Sequence, residues 1–227
     1  METETVPLDR RQRRRLETIE EVLDVAADLM REQGVAGLSI GEVARRMGIR
    51  PPSLYVYFDS KNALYDGLFA RGWRLLNEYM GESRTQVLDR ATLDDALLEV
   101  GTLFVGWAVA NPAYSQLLFW RPVRGFEPSA DAYEPAVESL SGARETFGEM
   151  QRRGWIRADA SIDEVTRDWT ILLAGVISQQ LSNAPHESFA KGSFTMALPR
   201  LVGMFAAHYA APSPLTPRRR ARHASQR

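Results

Sequence analysis

The chain has no cysteine, and this absence removes several kinds of chemistry at once. Without cysteine among its 227 residues, it can form no disulfide, hold no metal through thiolates and use no cysteine nucleophile. Its three histidines, His186, His208 and His223, are scattered without metal-ligand spacing. The sequence also lacks a glycine-rich phosphate loop and a carboxylate pair in an apolar setting. We therefore expect no enzyme activity, no bound metal and no cofactor.

Long hydrophobic runs are also missing. The apolar run from Ile171 to Ile177, for example, is far shorter than the roughly 20 residues that span a bilayer. The N-terminus is charged and has no apolar segment of the kind that secretory signals carry. We expect a cytoplasmic protein with no membrane partner, and its 44% hydrophobic residues are enough for one large domain or two modest ones.

Charge is unevenly distributed along the chain, although the formal net charge is only -1. Five arginines lie between Arg10 and Arg15, and five more lie beyond Ala210, where no acidic residue occurs. The region between them is acidic and repels a DNA backbone, so any attraction to DNA must come from local basic patches. We interpret the first cluster as part of a DNA-binding surface and the second as a solvated, disordered tail.

Apolar residues recur at helical spacing throughout, and no segment alternates as a strand does. The sequence therefore predicts an all-α fold. Gly34 should end the first helix, whose apolar stripe begins at Leu16. The expected organisation is a disordered arm (1–10), a helix-turn-helix domain (11–61), a linking helix (60–81), a second helical domain (82–209) and a basic disordered tail (210–227). Within the second domain we expect helices at 93–111, 113–120, 129–153, 165–183 and 187–209, the last bent at Pro199, with the polar stretch 82–91 as the domain boundary.

The stretch from Ser39 to Lys61 organises the first domain. Ser39 and Glu42 have the spacing of a capping box, which predicts a helix from Ile40. Gly48 suits the end of that helix, and the two prolines at 51 and 52 fit the first turn of the next one. The result is two short helices joined by a tight turn.

The second of these helices should present a polar and aromatic surface. Leu54 and Phe58 lie four residues apart and point inward. The outward residues are Pro52, Ser53, Tyr55, Val56 and Tyr57. Exposed tyrosines among small residues do not suit a merely solubilising surface, whereas a helix-turn-helix presents this kind of surface to the major groove. Lys61, beside a cap at Asp59 or Ser60, would meet a backbone phosphate.

These spaced signals resemble the DNA-binding domain of the TetR family of bacterial transcriptional regulators. The resemblance runs from Ile19 to Leu64 and rests on Ala26-Ala27, Gly34, Ser39, Val43-Ala44, Gly48-Ile49, Ser53-Leu54-Tyr55, Tyr57-Phe58 and Ser60-Lys61. It implies an all-helical homodimer whose C-terminal domain binds a small effector and dimerises. The effector would lower the affinity for double-stranded DNA at a pseudo-palindromic operator.

The resemblance also assigns roles to individual residues. Ser53, Tyr55 and Val56 are similar to base-facing positions. Ser39, Tyr57 and Lys61 are similar to phosphate-contacting positions. Arg50 and Pro51 depart from the family pattern, because many members carry a small capping residue and a polar residue there. The complete set of expected DNA-binding residues is Ser39, Arg50, Pro52, Ser53, Tyr55, Val56, Tyr57 and Lys61.

Aromatic residues are frequent in the second domain. Apolar cavities between helices are the usual form of small-molecule sites, but core packing is the better explanation for any one of these residues taken alone. The resemblance favours a shared pocket, to which Tyr133 could also belong. The expected ligand-binding residues are Trp107, Tyr114, Phe119, Trp120, Phe147 and Trp169.

The last two helices carry apolar residues on wide arcs. We expect them to pair with the same helices of a second copy under two-fold symmetry, although a fully buried monomer core would show the same arcs. The sequence thus favours a homodimeric repressor that a small apolar or aromatic effector releases from its operator. The alternatives are a helical enzyme with an accessory N-terminal bundle and a DNA-binding protein without an effector.

Overall fold

The computed structural model describes residues 9–212, except for the side chains of residues 82–86. Within this range the chain folds into nine α-helices and confirms the predicted all-α class. They are α1 (Arg10–Gln33), α2 (Ile40–Arg46), α3 (Pro51–Leu54), α4 (Lys61–Leu88), α5 (Leu93–Ala110), α6 (Pro112–Phe119), α7 (Ala130–Arg152), α8 (Ile162–Asn183) and α9 (Leu198–Tyr209). Three 3₁₀ turns complete the described elements: Val35–Gly37, Phe189–Lys191 and Thr195–Ala197.

The predicted arm and tail fall largely outside the described residues, namely in 1–8 and 213–227. The predicted boundaries with the folded part, at residue 10 for the arm and at residue 210 for the tail, were wrong. α1 starts at Arg10 because Asp9 and Gln12 form a capping box, with the Asp9 carboxylate accepting from the Gln12 N–H at 2.7 Å. At the other end, Ala210 forms an isolated antiparallel bridge with Ile156. Backbone pairing therefore orders the start of the segment that we expected to be tail.

The helix-turn-helix forms where the sequence predicts it, but without the expected capping box. Ser39 is the N-cap of α2, yet its side chain makes no capping hydrogen bond. The Glu42 carboxylate is instead bound by Arg45 at 2.7 and 2.8 Å and by Arg46 at 3.3 Å. Two guanidinium groups one turn away are stronger partners than a backbone N–H. Gly48, at φ 69°, ends the helix in the left-handed conformation as predicted.

The linking helix α4 is longer than predicted. It starts at Lys61 behind Ser60, whose hydroxyl accepts from the Ala63 N–H at 3.0 Å, and it continues to Leu88 instead of ending at 81. The expected boundary at 82–91 is therefore mostly helix. Gly81 does not stop α4, since an interior glycine costs only about 1 kcal/mol, and burial of Val87 beyond it offsets that cost.

The last predicted helix, 187–209, is wrong in its first half. Residues 189–197 contain two 3₁₀ turns, and α9 begins only at Leu198, with Pro199 in its first turn and not at a bend. The buried Gln180 side chain of α8 explains the interruption. Its carbonyl oxygen accepts from the N–H groups of Phe194 (3.1 Å) and Thr195 (3.3 Å), which fixes them in a non-helical arrangement.

The helices form two packed groups that share α4. The head, α1 to α3, has a core that includes Leu23, Val43 and Leu54. In the body, α5, α6 and α7 pack against α4, and α8 and α9 pack against α5. Leu97, Trp169 and other apolar residues are buried there. In the described part of the chain, no helix is both long enough and apolar enough to cross a membrane.

Candidate nucleic-acid interface

Residues 50–57, which we call the reading segment, face outward on the head. α3 supplies only four residues of regular helix, and the turn that follows carries the two most exposed apolar side chains of the segment. Tyr55 is 51% exposed and Val56 is 65% exposed. Arg50, Pro52 and Ser53 are also exposed. Leu54 and Phe58 are buried beneath them, and this burial fixes the orientation of the segment.

Tyr57 differs from the prediction, because it is only half exposed and packs against the hydrophobic core. The Arg15 guanidinium of α1 lies over its ring, 5.4 Å from the centroid. The same guanidinium donates through Nη1 to the Val56 carbonyl at 3.2 Å. Arg15 therefore ties α1 to the end of the reading segment. In the sequence, Arg15 belongs to a basic cluster, and no local signal indicates a contact across 41 residues.

Ser39 and Lys61 lie at the starts of α2 and α4 and are both exposed. The Ser39 hydroxyl is not used for capping. The Lys61 ammonium lies 5.5 Å from the ring centroid of the buried Tyr65, a weak contact that leaves its hydrogen-bond donors available. Both side chains are thus free to contact an anion.

The positive charge of the head is selectively neutralised. Arg45 and Arg46 are held by Glu42, and Arg46 also binds Glu32. Hydrogen bonds from Arg45 and then Arg46 lower the pKa of Glu42 to about 2. Among the described side chains, ion pairs are absent at seven cations of the head and the start of α4: Arg10, Arg11, Arg13, Arg14, Arg15, Arg50 and Lys61. The unpaired cations therefore lie around the reading segment and on the first turns of α1.

The model of the bacterial regulatory proteins of the tetR family matches residues 22–68, which comprise most of α1, the helix-turn-helix and the start of α4. The N-terminal domain belongs to the tetR family.

Curated relatives support the assignment of this tetR-family domain. YobS of Bacillus subtilis, an uncharacterized HTH-type transcriptional regulator, is 32% identical over 93 residues, which are 41% of this chain and 47% of YobS. The class A tetracycline repressor protein of Escherichia coli is 45% identical over 47 residues, or 21% of this chain and 22% of that protein. The chain thus matches about half or less of the length of these relatives.

The fold of most of the chain is also similar to a solved structure. The transcriptional regulator FadR from Bacillus subtilis, in complex with stearoyl-CoA, has a TM-score of 0.64 and 11% identity to this chain. The similarity covers 83% of this chain and 97% of FadR. At this identity, the comparison establishes the architecture that surrounds the tetR-family domain and nothing about its ligand.

Two residues of α4 bind the tetR-family head, and the sequence indicates neither contact. The Tyr65 hydroxyl of α4 donates to the Val35 carbonyl of the head at 2.7 Å, while its ring lies 5.3 Å from that of Phe126 in the loop before α7. Arg71 of α4 forms ion pairs with two α1 carboxylates, those of Asp24 and Glu20. α4 is therefore attached to the head by polar contacts, while the Tyr65 ring also connects it to the body.

The six aromatic residues expected to form a pocket are divided. Phe119 and Trp120 belong to one ring cluster, and Phe147 and Trp169 belong to another; in the part of the chain that is described, no ring contact joins the two clusters. Tyr114 packs instead against Gly72 of α4. Trp107 is buried outside both clusters. The body therefore does not bring these residues together as one group, because Phe119 of α6 packs against Trp73 of α4, while Phe147 of α7 and Trp169 of α8 pack against Phe205 of α9.

The two clusters differ in burial. Phe147 and Trp169 pack with Phe205 and Tyr209 in the core between α7, α8 and α9. The first cluster consists of Phe69, Trp73, Phe104, Phe119, Trp120 and Tyr133, which are mostly half buried, and we call it the α4 cluster. Within it, the buried Nε1 of Trp73 has no hydrogen-bond partner. The α4 cluster is therefore the better candidate for a ligand site.

A separate surface cavity of about 230 Å³ lies between α5, the two 3₁₀ turns and the start of α9. Its lining is mainly apolar: Leu98, Thr102, Phe189, Ala190, Thr195, Met196, Leu198 and Pro199. None of the six aromatic residues predicted for ligand binding lines it. The interrupted last helix creates this cavity, so a prediction of continuous helix could not find it.

Proposed function

We propose that the chain is a cytoplasmic, homodimeric transcriptional regulator that binds double-stranded DNA and is released by a small effector. The observation that carries the proposal is the exposed reading segment, which the buried Leu54 and Phe58 hold in place. It is flanked by cations that form no ion pair with any described residue. Ser53, Tyr55 and Val56 would meet base edges, where an apolar side chain can contact a thymine methyl group. Ser39, Tyr57 and Lys61 would contact phosphates, with Arg50 and Pro52 at the edge of the surface.

The phosphate role of Lys61 is testable because the chain provides a matched control. Its only two lysines are Lys61 and Lys191, and both are exposed, Lys191 in the body. The probe is a duplex identified by sequencing genomic DNA that the protein retrieves. Lys61→Ala should weaken binding and reduce the slope of log K against log salt by about one unit. Lys191→Ala should leave the slope unchanged. Equal slopes for the wild type and both variants would contradict the phosphate role of Lys61. If the wild type does not bind DNA at all, the proposed function is wrong.

We assign the dimer interface to α8 and α9. Their outward face carries Ile171, which is 63% exposed, together with the exposed Met204. Between them lie exposed small residues, Ala174, Gly175 and Ala207, which allow two helix pairs to approach closely. An isologous contact of this face would supply two heads, as a pseudo-palindromic operator requires.

The dimer interface can be tested with two equivalent substitutions. Ile171→Glu places a charge on the proposed face, whereas Val137→Glu places one on α7, at a side chain that is 55% exposed. Sedimentation should show a monomer for Ile171→Glu and a dimer for Val137→Glu. The reverse result would move the interface to α7.

The effector would occupy the α4 cluster. A partly buried group of aromatic rings suits an apolar or aromatic molecule, and the unpaired Trp73 indole N–H would favour one with a hydrogen-bond acceptor. A ligand bound there would contact α4, and the start of α4 also contributes to the DNA surface. If effector and DNA favour different positions of α4, linkage makes their binding mutually antagonistic.

The test uses a ligand panel of aromatic carboxylates together with stearoyl-CoA, the molecule bound in the FadR structure. A ligand of the α4 cluster should raise the melting temperature of the wild type, quench tryptophan fluorescence and release the DNA probe. Trp73→Phe should weaken the response, while Trp155→Phe, outside the cluster, should not. DNA binding without any thermal shift across the panel would favour an effector-independent DNA-binding protein. Turnover of a panel member without DNA binding would favour the enzyme.

A further inference from the structure

The first two turns of α1 extend beyond the packed part of the head. All residues from Asp9 to Glu17 are exposed, including Leu16, which the sequence analysis assigned to the apolar stripe of the helix. The buried residues of α1 begin only at Val22. These turns contribute little to the core, and the tetR-family match begins only at residue 22. The sequence of these two turns therefore lies outside the segment that matches the family.

Three arginines in these turns converge on one surface feature. Arg10, Arg11 and Arg14 line an open hollow of about 390 Å³. Helical geometry places Arg14 one turn after Arg10 and Arg11, on the same side of α1, whereas Arg13 projects from another side. Arg13 does not line the hollow.

The hollow is strongly cationic. No ion pair within residues 9–212 neutralises Arg10, Arg11 or Arg14. This contrasts with Arg45 and Arg46, which are paired with carboxylates. Three guanidinium groups around one hollow, each with several N–H donors, have the geometry and charge to hold the oxygens of a phosphate.

Arg15 places this hollow beside the DNA surface. Its guanidinium reaches the Val56 carbonyl and the Tyr57 ring, so the reading segment lies against the same end of α1. Arg14 is the next residue, and the whole arginine run covers only about 7.5 Å along the helix axis at 1.5 Å per residue. A duplex seated on the reading segment would bring backbone phosphates within reach of the hollow.

We propose that Arg10, Arg11 and Arg14 form a second phosphate-binding surface, which extends the DNA contact beyond the helix-turn-helix. This inference rests on the proposed function of the reading segment. The additional contacts are independent of base sequence, so they add affinity and salt dependence without altering the choice of operator. They also attract the DNA backbone, which the acidic body repels.

The experiment compares Arg14→Gln with Arg13→Gln, which remove the same charge from adjacent positions. The probe is the duplex retrieved from genomic DNA, and binding is measured over a range of salt concentrations. Arg14→Gln should reduce the slope of log K against log salt by about 0.9, the value for one phosphate. Arg13→Gln should change it by much less. The triple change Arg10→Gln, Arg11→Gln, Arg14→Gln should reduce it by up to about 2.7, and hydroxyl-radical footprinting should show lost protection at phosphates flanking an otherwise unchanged site.

The outcomes separate this inference from the function on which it rests. If the wild type binds DNA and Lys61→Ala lowers the slope, but Arg14→Gln and Arg13→Gln behave alike, the second surface does not exist. If the wild type fails to bind any retrieved or random duplex, the proposed function itself fails. Because the substituted side chains are all exposed, far-ultraviolet circular dichroism should remain at the wild-type level, and a loss of helix in Arg14→Gln alone would also overturn the proposal.

Discussion

The contact between α4 and α6 can be tested with a single methyl group. Gly72 of α4 is buried, and a Cβ built there would lie 2.7 Å from Cδ1 of Tyr114 and 3.2 Å from Cδ2 of Leu118. The Tyr114 ring belongs to α6, which also packs against α1 of the head. Gly72→Ala would therefore force the ring, and the helix that carries it, away from α4.

Two opposing effects determine how much Gly72→Ala changes the free energy of unfolding. Replacing an interior glycine of a helix by alanine gains about 1 kcal/mol. Overpacking a well-packed contact costs about 1–3 kcal/mol. We expect Gly72→Ala to lower the free energy of unfolding by roughly 0–2 kcal/mol, the difference between these two values. Gly106 in α5 provides the control, because a Cβ built there has no neighbour within 4 Å, and Gly106→Ala should raise stability by up to about 1 kcal/mol.

Urea denaturation measures the free energy of unfolding of both variants, at one fixed protein concentration because the stability of the proposed dimer would depend on concentration. In thermal melts, each kcal/mol corresponds to about 2–4 °C for a chain of this size. A double-mutant cycle with Tyr114→Ala isolates the contact: once the ring is removed, Gly72→Ala should become stabilising. If Gly72→Ala stabilises the wild type as much as Gly106→Ala does, the close packing of α4 on α6 is refuted.

Three further predictions concern the head. The pKa of Glu42 is about 2, below the ordinary value of 4.5. Its ionised form therefore stabilises the fold above pH 4.5, and this contribution to stability is lost as the pH falls towards 2. Glu42→Gln should flatten the dependence of the urea midpoint on pH in this window. Arg15→Met removes the donor to the Val56 carbonyl, so amide exchange in the reading segment should accelerate and DNA affinity should fall with little change in melting temperature; unchanged exchange would contradict the positioning role. Tyr65→Phe leaves the Val35 carbonyl without its donor and should destabilise the protein by about 1–3 kcal/mol in urea titration, whereas a neutral effect would show that water replaces the hydroxyl.

Local chemistry made much of the fold predictable. Gly48 ends α2 through its positive φ, and Thr92 caps α5 by accepting from the Asp95 N–H. Each of these signals depends on residues within one turn, so the sequence alone contains it. The exposure of Tyr55 and the burial of Leu54 follow from the same helical periodicity.

The features that were missed depend on partners far away in the chain. Arg15 reaches Val56 across 41 residues, and α9 starts late because Gln180 binds backbone groups 14 and 15 residues further on. Periodicity shows that a residue faces inward but not which neighbour it meets. The division of the expected pocket between two clusters, with Phe119 in one and Trp169 in the other, has the same origin.

The continuity of α4 has a mechanical consequence. A single rod of 28 residues is about 42 Å long at 1.5 Å per residue. Pivoting such a lever by about 5° displaces its tip by roughly 4 Å, which is comparable to the 3.4 Å axial step between successive nucleotides of one strand. A rearrangement of a few side chains near the far end would thus be amplified into a misfit of one full step on the duplex.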